Sequence, residues 1–149
     1  MSFKEEVHLA FSRLLNEKIM QLQQGLNDLY ESAKNETKST AGDKHETALA
    51  MLQIEQENIR RQLREVQKQL AIFEKIDPAL QSAQVRIGSL VETNKNYLFL
   101  SAGIGKITLN NKMVIALSPQ SPLGLKLMGL QKNNSIQMNA VEYVIKSVE

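Results

Sequence analysis

The sequence predicts an α+β protein, in which an N-terminal antiparallel coiled-coil hairpin precedes a small antiparallel β-sheet domain with one short helix. Three observations carry that prediction. Apolar residues recur about every 3.5 positions over two long stretches, the spacing of a coiled-coil seam. The second stretch is stopped by Asp77-Pro78, because Pro lacks the amide donor and disfavours helix in the residue before it. From Val85 onward the apolar period falls to two, the signature of half-buried strands.

In the first arm, residues 7 to 34, the seam is Ser12, Leu15, Ile19, Leu22, Leu26, Leu29 and Ala33. In the second, residues 47 to 76, it is Leu49, Leu52, Gln56, Ile59, Leu63, Val66, Leu70 and Phe73. Neither arm contains Pro, and Gly25 interrupts the first at a cost of about 1 kcal/mol relative to Ala. The connector, Asn35 to Asp43, is short and polar, so the arms fold back on each other. At about 1.5 Å per residue each reaches roughly 40 Å. The hairpin domain is therefore residues 1–77, with an acidic tip at 40–46 and a linker at 78–84.

Residues 85–149 form the second domain. Strands are expected over Val85 to Glu92, Tyr97 to Leu100, Lys106 to Leu109, Met113 to Leu117, Ile136 to Met138 and Val141 to Ile145. Asn94-Lys95-Asn96, Asn110-Asn111 and Asn133-Asn134 supply turns. Ser121 as N-cap and Pro122 at the first helical position predict a short helix running to Gly129.

Composition narrows the chemistry. Of 149 residues, 42% are hydrophobic and 23% charged, a globular balance. Aromatics are 5% with no Trp, thin for a base-stacking surface. Residues 1–77 hold 11 Lys/Arg against 13 Asp/Glu, whereas residues 78–149 hold 7 against 3, so the halves differ in task. The absence of Cys excludes disulfides, thiol catalysis and Cys-type zinc sites. His8 and His45 are the two histidines, too few for a protein-only zinc site. No phosphate loop and no nucleophile elbow is present. With no signal core at Met1 to Glu6 and no apolar run of about 20 residues, a soluble intracellular protein is expected.

Three groups of residues remain as candidates, each with a structural alternative. Asp43 and Glu46, three apart at the mouth of the second helix, present hard oxygen ligands on one side. Equally, Asp with Glu three later makes a capping box suited to the positive end of the helix dipole. Arg60, Arg64 and Lys68, with Arg61 beside them, form a basic stripe able to follow RNA phosphates without reading bases. The alternative is a solvated coiled-coil flank paired with Glu57 and Glu65. Ser118, Pro119, Ser121, Pro122, Leu123 and Gly124 lie in a surface loop that serves either as a docking loop or as a rigid helix start.

These residues resemble the Gre family of bacterial transcript cleavage factors. Gly42-Asp43-Lys44-His45-Glu46-Thr47-Ala48 is similar to the family's tip motif, and Ser118-Pro119-Gln120-Ser121-Pro122-Leu123-Gly124 with Glu142-Tyr143-Val144-Ile145 is similar to the end of its C-terminal domain. The resemblance extends in order over essentially the whole chain. It implies an FKBP-like C-terminal domain that grips RNA polymerase at the rim of its secondary channel, with the hairpin inserted into that channel. Asp43 and Glu46 would help hold a Mg²⁺ shared with the polymerase, next to the 3′ end of a backtracked RNA. The protein would then be no enzyme alone, bind no metal tightly when free, read no DNA sequence, touch no membrane, and be a monomer of the bacterial cytoplasm.

The tip also departs from the family. Thr47-Ala48-Leu49-Ala50 stands where the family has Asn-Ala-Glu-Tyr, and Lys44 places a cation beside the acids. The same resemblance therefore implies, as an alternative, a channel occupant that modulates or inhibits transcription without stimulating cleavage. Two other classes are a prolyl isomerase or peptide chaperone, which needs an aromatic-lined pocket built from Tyr97, Phe99 and Tyr143, and a plain coiled-coil adaptor.

Overall fold

Ser2 begins the first helix, its hydroxyl accepting the Glu5 amide at 3.1 Å and donating to the Glu5 carboxylate at 3.2 Å, a reciprocal cap. The computed structural model describes the backbone of residues 1–37 and 43–149 and the side chains of residues 1–36 and 46–149. Helix α1 spans Phe3–Thr37 and α2 spans Asp43–Glu74, both longer than the seams predict. Pro78 follows the end of α2 as expected. Two compact units result: Met1–Ser12 with Ala71–Glu149, and Arg13–Leu70.

Within Arg13–Leu70 the helices pair antiparallel. Leu22 shares a groove with Gln62 and Val66, Gly25 faces Ile59, and Leu29 accepts a bond from Gln56, so partners count down on α2 as they count up on α1. The Gln56 side chain is buried in the seam and uses its amide on that Leu29 carbonyl at 3.5 Å. A polar seam residue with a backbone partner fixes register without leaving an unsatisfied group. The Arg13–Thr37 portion of α1 spans roughly 37 Å at about 1.5 Å per residue.

The other unit is built on a mixed sheet. Among the described residues it has six strands: β1 (Leu90–Thr93), β2 (Tyr97–Leu100), β3 (Gly105–Leu109), β4 (Lys112–Leu117), β5 (Ser135–Met138) and β6 (Val141–Val148). Their order is β3-β4-β2-β1-β6-β5. Four of the five pairings are antiparallel, as predicted. The fifth, β2 with β4, is parallel, with Leu98 opposite Ile115 and Phe99 opposite Ala116. Here β3 serves as the crossover, where a helix is usual, and returns antiparallel along the far side of β4. Strand β6 is shared, Val141 to Val144 pairing β5 and Ile145 to Val148 pairing β1 across an irregularity at Glu92/Thr93.

Helix α3 (Pro122–Leu127) covers one face of this sheet. Leu127 and the neighbouring Leu123 pack on Val91, Leu98, Leu100, Leu117 and Ile145. Because side chains alternate along a strand, Phe99 points to the opposite face. There it meets Phe11 of α1 and Phe73 of α2. All three rings are fully buried.

One strand prediction is corrected. Residues 85–89 precede the sheet proper and form a turn, in which Ser89 N donates to Arg86 O at 3.0 Å and Arg86 N donates to the Ser89 hydroxyl at 2.9 Å. Gly88 sits at φ +89°, a conformation that β-branched strand formers do not adopt. Val85 is nonetheless core, paired through its backbone with Gly129 and Leu130 at 2.8 Å each.

Candidate functional site

In the hairpin unit, α1 ends at Thr37 and α2 resumes at Asp43, so the predicted tip is where the chain reverses. Thr40, Ala41 and Gly42 lie outside the described residues, as do the side chains of Asp43, Lys44 and His45. Glu46 is in the first turn of α2 and is exposed. Leu49, where the resemblance expects an acid, is half-buried at a seam position. Among the described residues no three His, Asp or Glu side chains come together as a metal site.

The basic stripe is partly neutralised. Arg60 donates to the Tyr30 hydroxyl at 2.8 Å and stacks over that ring at 5.6 Å. That hydrogen bond is the first cause holding its guanidinium above the ordinary arginine value. Glu57 accepts from both Arg60, at 3.5 Å, and Arg64, at 3.3 Å. Arg61 donates to Asn58. Lys68 is exposed and makes no ion pair among the described residues. The flank is thus the paired coiled-coil face that its spacing allowed, with Glu57 rather than Glu65 taking the arginines. Exposed pairs of this kind contribute little, so they do not prevent the arginines from turning to phosphate.

In the sheet unit, the Ser118 to Gly124 loop is a rigid turn. Ser121 caps α3, its hydroxyl accepting the Gly124 amide at 3.1 Å while donating to Ser118 O at 2.7 Å. Gln120 N donates to the Ser118 hydroxyl at 3.1 Å, and Pro122 occupies the first helical turn. The helix is as predicted, ending at Leu127 with Gly129 in the left-handed region just beyond. Pro122 and Leu125 project outward, Leu125 at 65% exposure. A preformed turn with an exposed apolar residue beside it suits docking, since little ordering entropy is lost on contact.

The aromatic pocket that an isomerase needs is not assembled from the expected residues. Phe99 is fully buried among Phe11, Phe73 and His8, and Tyr97 packs edge-on against Phe3 at 5.1 Å. Lys112 lies over both Phe3 and Tyr97, at 4.7 and 5.5 Å. This junction's α1 residues lie outside those that the seams and motifs single out. Its signal was present as Phe3, Val7 and Phe11, a helical spacing that continues the first seam toward the N-terminus.

No helix among the described residues is long and apolar enough to cross a membrane. No protein-family model and no curated protein matches the chain. Among solved structures, that of the transcription factor Gfh1 is similar over 92% of this chain and 92% of that one, at 12% sequence identity and a TM-score of 0.37.

Proposed function

We propose that this chain is a Gre-like factor that binds RNA polymerase and assists Mg²⁺-dependent cleavage of backtracked RNA by the polymerase itself. The observation that carries the reading is a long antiparallel hairpin whose second helix opens with Asp43 and Glu46, with a sheet domain following it. A narrow two-helix arm with acids at its closed end is suited to delivering ligands into a confined channel. The preformed turn at Ser118 to Gly124 supports a docking role for the sheet unit.

In this mechanism Asp43 and Glu46 would help hold Mg²⁺, which when bound would supply an acidified water and charge stabilisation at the leaving oxygen. Asp43 and Glu46 complete a ligand set that is mostly the polymerase's, and the chain has no nuclease activity alone. The arginine flank, with Lys68, follows RNA or polymerase surface without reading sequence. The protein works as a monomer in the bacterial cytoplasm.

A second reading is a channel occupant that modulates transcription without cleavage. The half-buried Leu49, committed to the seam where an acid is expected, favours it. Stalled backtracked complexes of cognate polymerase, given Mg²⁺ and this protein, separate the two. Release of short 3′ RNA fragments, lost in Asp43→Asn and Glu46→Gln, supports cleavage. Channel competition without fragments supports the second reading, and absence of polymerase binding sinks both.

A further inference from the structure

Near the base of α1, Lys4 is buried to 4% exposure, and its ammonium donates to Leu80 O at 2.6 Å. It lines a cavity of about 230 Å³ together with Lys75, Ile76, Asp77, Arg86 and Gly88. All of these belong to the unit formed by Met1–Ser12 and Ala71–Glu149. Three cations therefore line one small recess whose lining includes one carboxylate, Asp77, with Glu149 acting on Lys4 from beyond it.

The arrangement is electrostatically incomplete. An ammonium has three donors, and one of those on Lys4 is used on Leu80 O. No carboxylate stands within ion-pair distance of it among the described residues. Burial first, and the nearby Arg86 charge as well, hold the Lys4 ammonium below the ordinary lysine range, with Glu149 and Asp77 partly offsetting them. Asp77 is engaged locally, its carboxylate accepting the Ala79 amide at 3.0 Å. Lys75 and Arg86 are exposed at the rim, with no side-chain partner among the described residues. A buried charge is tolerated when an opposite charge or several acceptors meet it, and here one carbonyl does so.

We propose that the Lys4–Lys75–Arg86 recess is a binding site for a phosphate group, with Lys4 contacting it from the floor and Lys75 and Arg86 closing on it from the rim. A tetrahedral oxyanion supplies several acceptors to ammonium and guanidinium donors at once. The recess is small, about 230 Å³. That suits inorganic phosphate, pyrophosphate or the terminal phosphate of a larger molecule, and is below the roughly 300 Å³ of a whole-ligand pocket. Gly88 helps set this size. A Cβ on it would stand 3.1 Å from Ile76 Cγ2, pressing on the recess wall. The site is independent of the tip carboxylates and of any polymerase.

Calorimetric titration of the full chain in chloride buffer tests this, with inorganic phosphate, pyrophosphate and AMP as separate probes at constant ionic strength. Saturable binding is expected, weakened about tenfold or more by Arg86→Gln and by Lys75→Gln. Arg86→Lys should restore part of it. Binding of AMP assigns the site to phosphomonoesters generally, and binding of the inorganic ions alone assigns it to free phosphate. Lys106→Gln removes the same charge far along the chain and should leave binding unchanged. No saturable binding, or equal weakening by Lys106→Gln and Arg86→Gln, overturns the proposal. Lys4→Met bears on it only if its circular dichroism matches the parent, so the rim variants decide.

Discussion

Phe99 and Phe73 meet edge to face at 5.6 Å between centroids, joining the second strand of the sheet to the last turn of α2. Phe11 stacks on the same Phe99 ring at 6.4 Å, and the three rings are fully buried. Truncating Phe99 to Ala removes both contacts and leaves a cavity. The expected cost is about 3–5 kcal/mol, a large share of the stability of a chain this size. Denaturant unfolding of the full chain measures it; a loss below about 1 kcal/mol would mean that this junction does not hold the helices to the sheet.

That junction also marks where the sequence stopped being legible. The heptad seams from Leu15 to Ala33 and from Leu49 to Phe73 declared two helices, because a helix writes its buried face in local spacing. Phe99 gave no comparable sign. Tyr97-Leu98-Phe99-Leu100 is apolar throughout, being buried on both faces, so periodicity could not show which side met the helices. The parallel pairing of β2 with β4 was hidden for a related reason: no crossover helix separates them. Residues 85–89 carry a period of two, and the left-handed Gly88 overrides it. Ser121-Pro122 is legible because a cap and its helix are adjacent in sequence. For the tip, the sequence supplied the two acids and the reversal.

Two opposite exchanges should each stabilise the protein. Gly25 lies within α1, where a Cβ would meet Ile59 Cδ1 at 3.5 Å, an ordinary contact. Gly25→Ala should add about 1 kcal/mol through helix propensity. Ala140, by contrast, sits at φ +65° beside Asn139 at φ +52°, in the two-residue turn between β5 and β6. Left-handed backbone costs a non-glycine residue about 1–2 kcal/mol, so Ala140→Gly should also gain roughly 1 kcal/mol after its added unfolded-state entropy. Thermal melts check both; a lower Tm for Ala140→Gly would contradict the turn geometry.

At the start of α3, position 124 is closed to any side chain. A Cβ on Gly124 would lie 2.1 Å from Ser118 O and 3.0 Å from Pro119. These are backbone atoms of the same rigid turn, so the strain cannot be relieved by a rotamer change. Gly124→Ala should cost about 3 kcal/mol, the upper end of overpacking. Ser121→Ala, which removes the cap but creates no clash, should cost about 1 kcal/mol. If the turn forms the polymerase contact, both variants also weaken polymerase binding, and Gly124→Ala the more. Equal stability losses in the two would show that the cap, not the close approach, dominates this loop.

Lys4 makes stability depend on pH in a direction unusual for a hydrogen-bonded lysine. Burial is the largest influence on its ammonium and lowers its pKa in the folded protein; Arg86 pushes the same way, while Glu149 and Asp77 oppose. In the unfolded chain it returns to about 10.4. Below the folded value both states hold the proton, and the cost of burying the charge is fully present. Between the folded value and about 10.4 the unfolded state binds more protons, so stability rises with pH. Lys4→Met keeps an apolar stem and removes the titration. The stability of the parent minus that of Lys4→Met, from urea unfolding in chloride buffer, should therefore climb as pH approaches about 10.4. A difference that stays flat, or falls, would show that the Leu80 bond outweighs burial at this lysine.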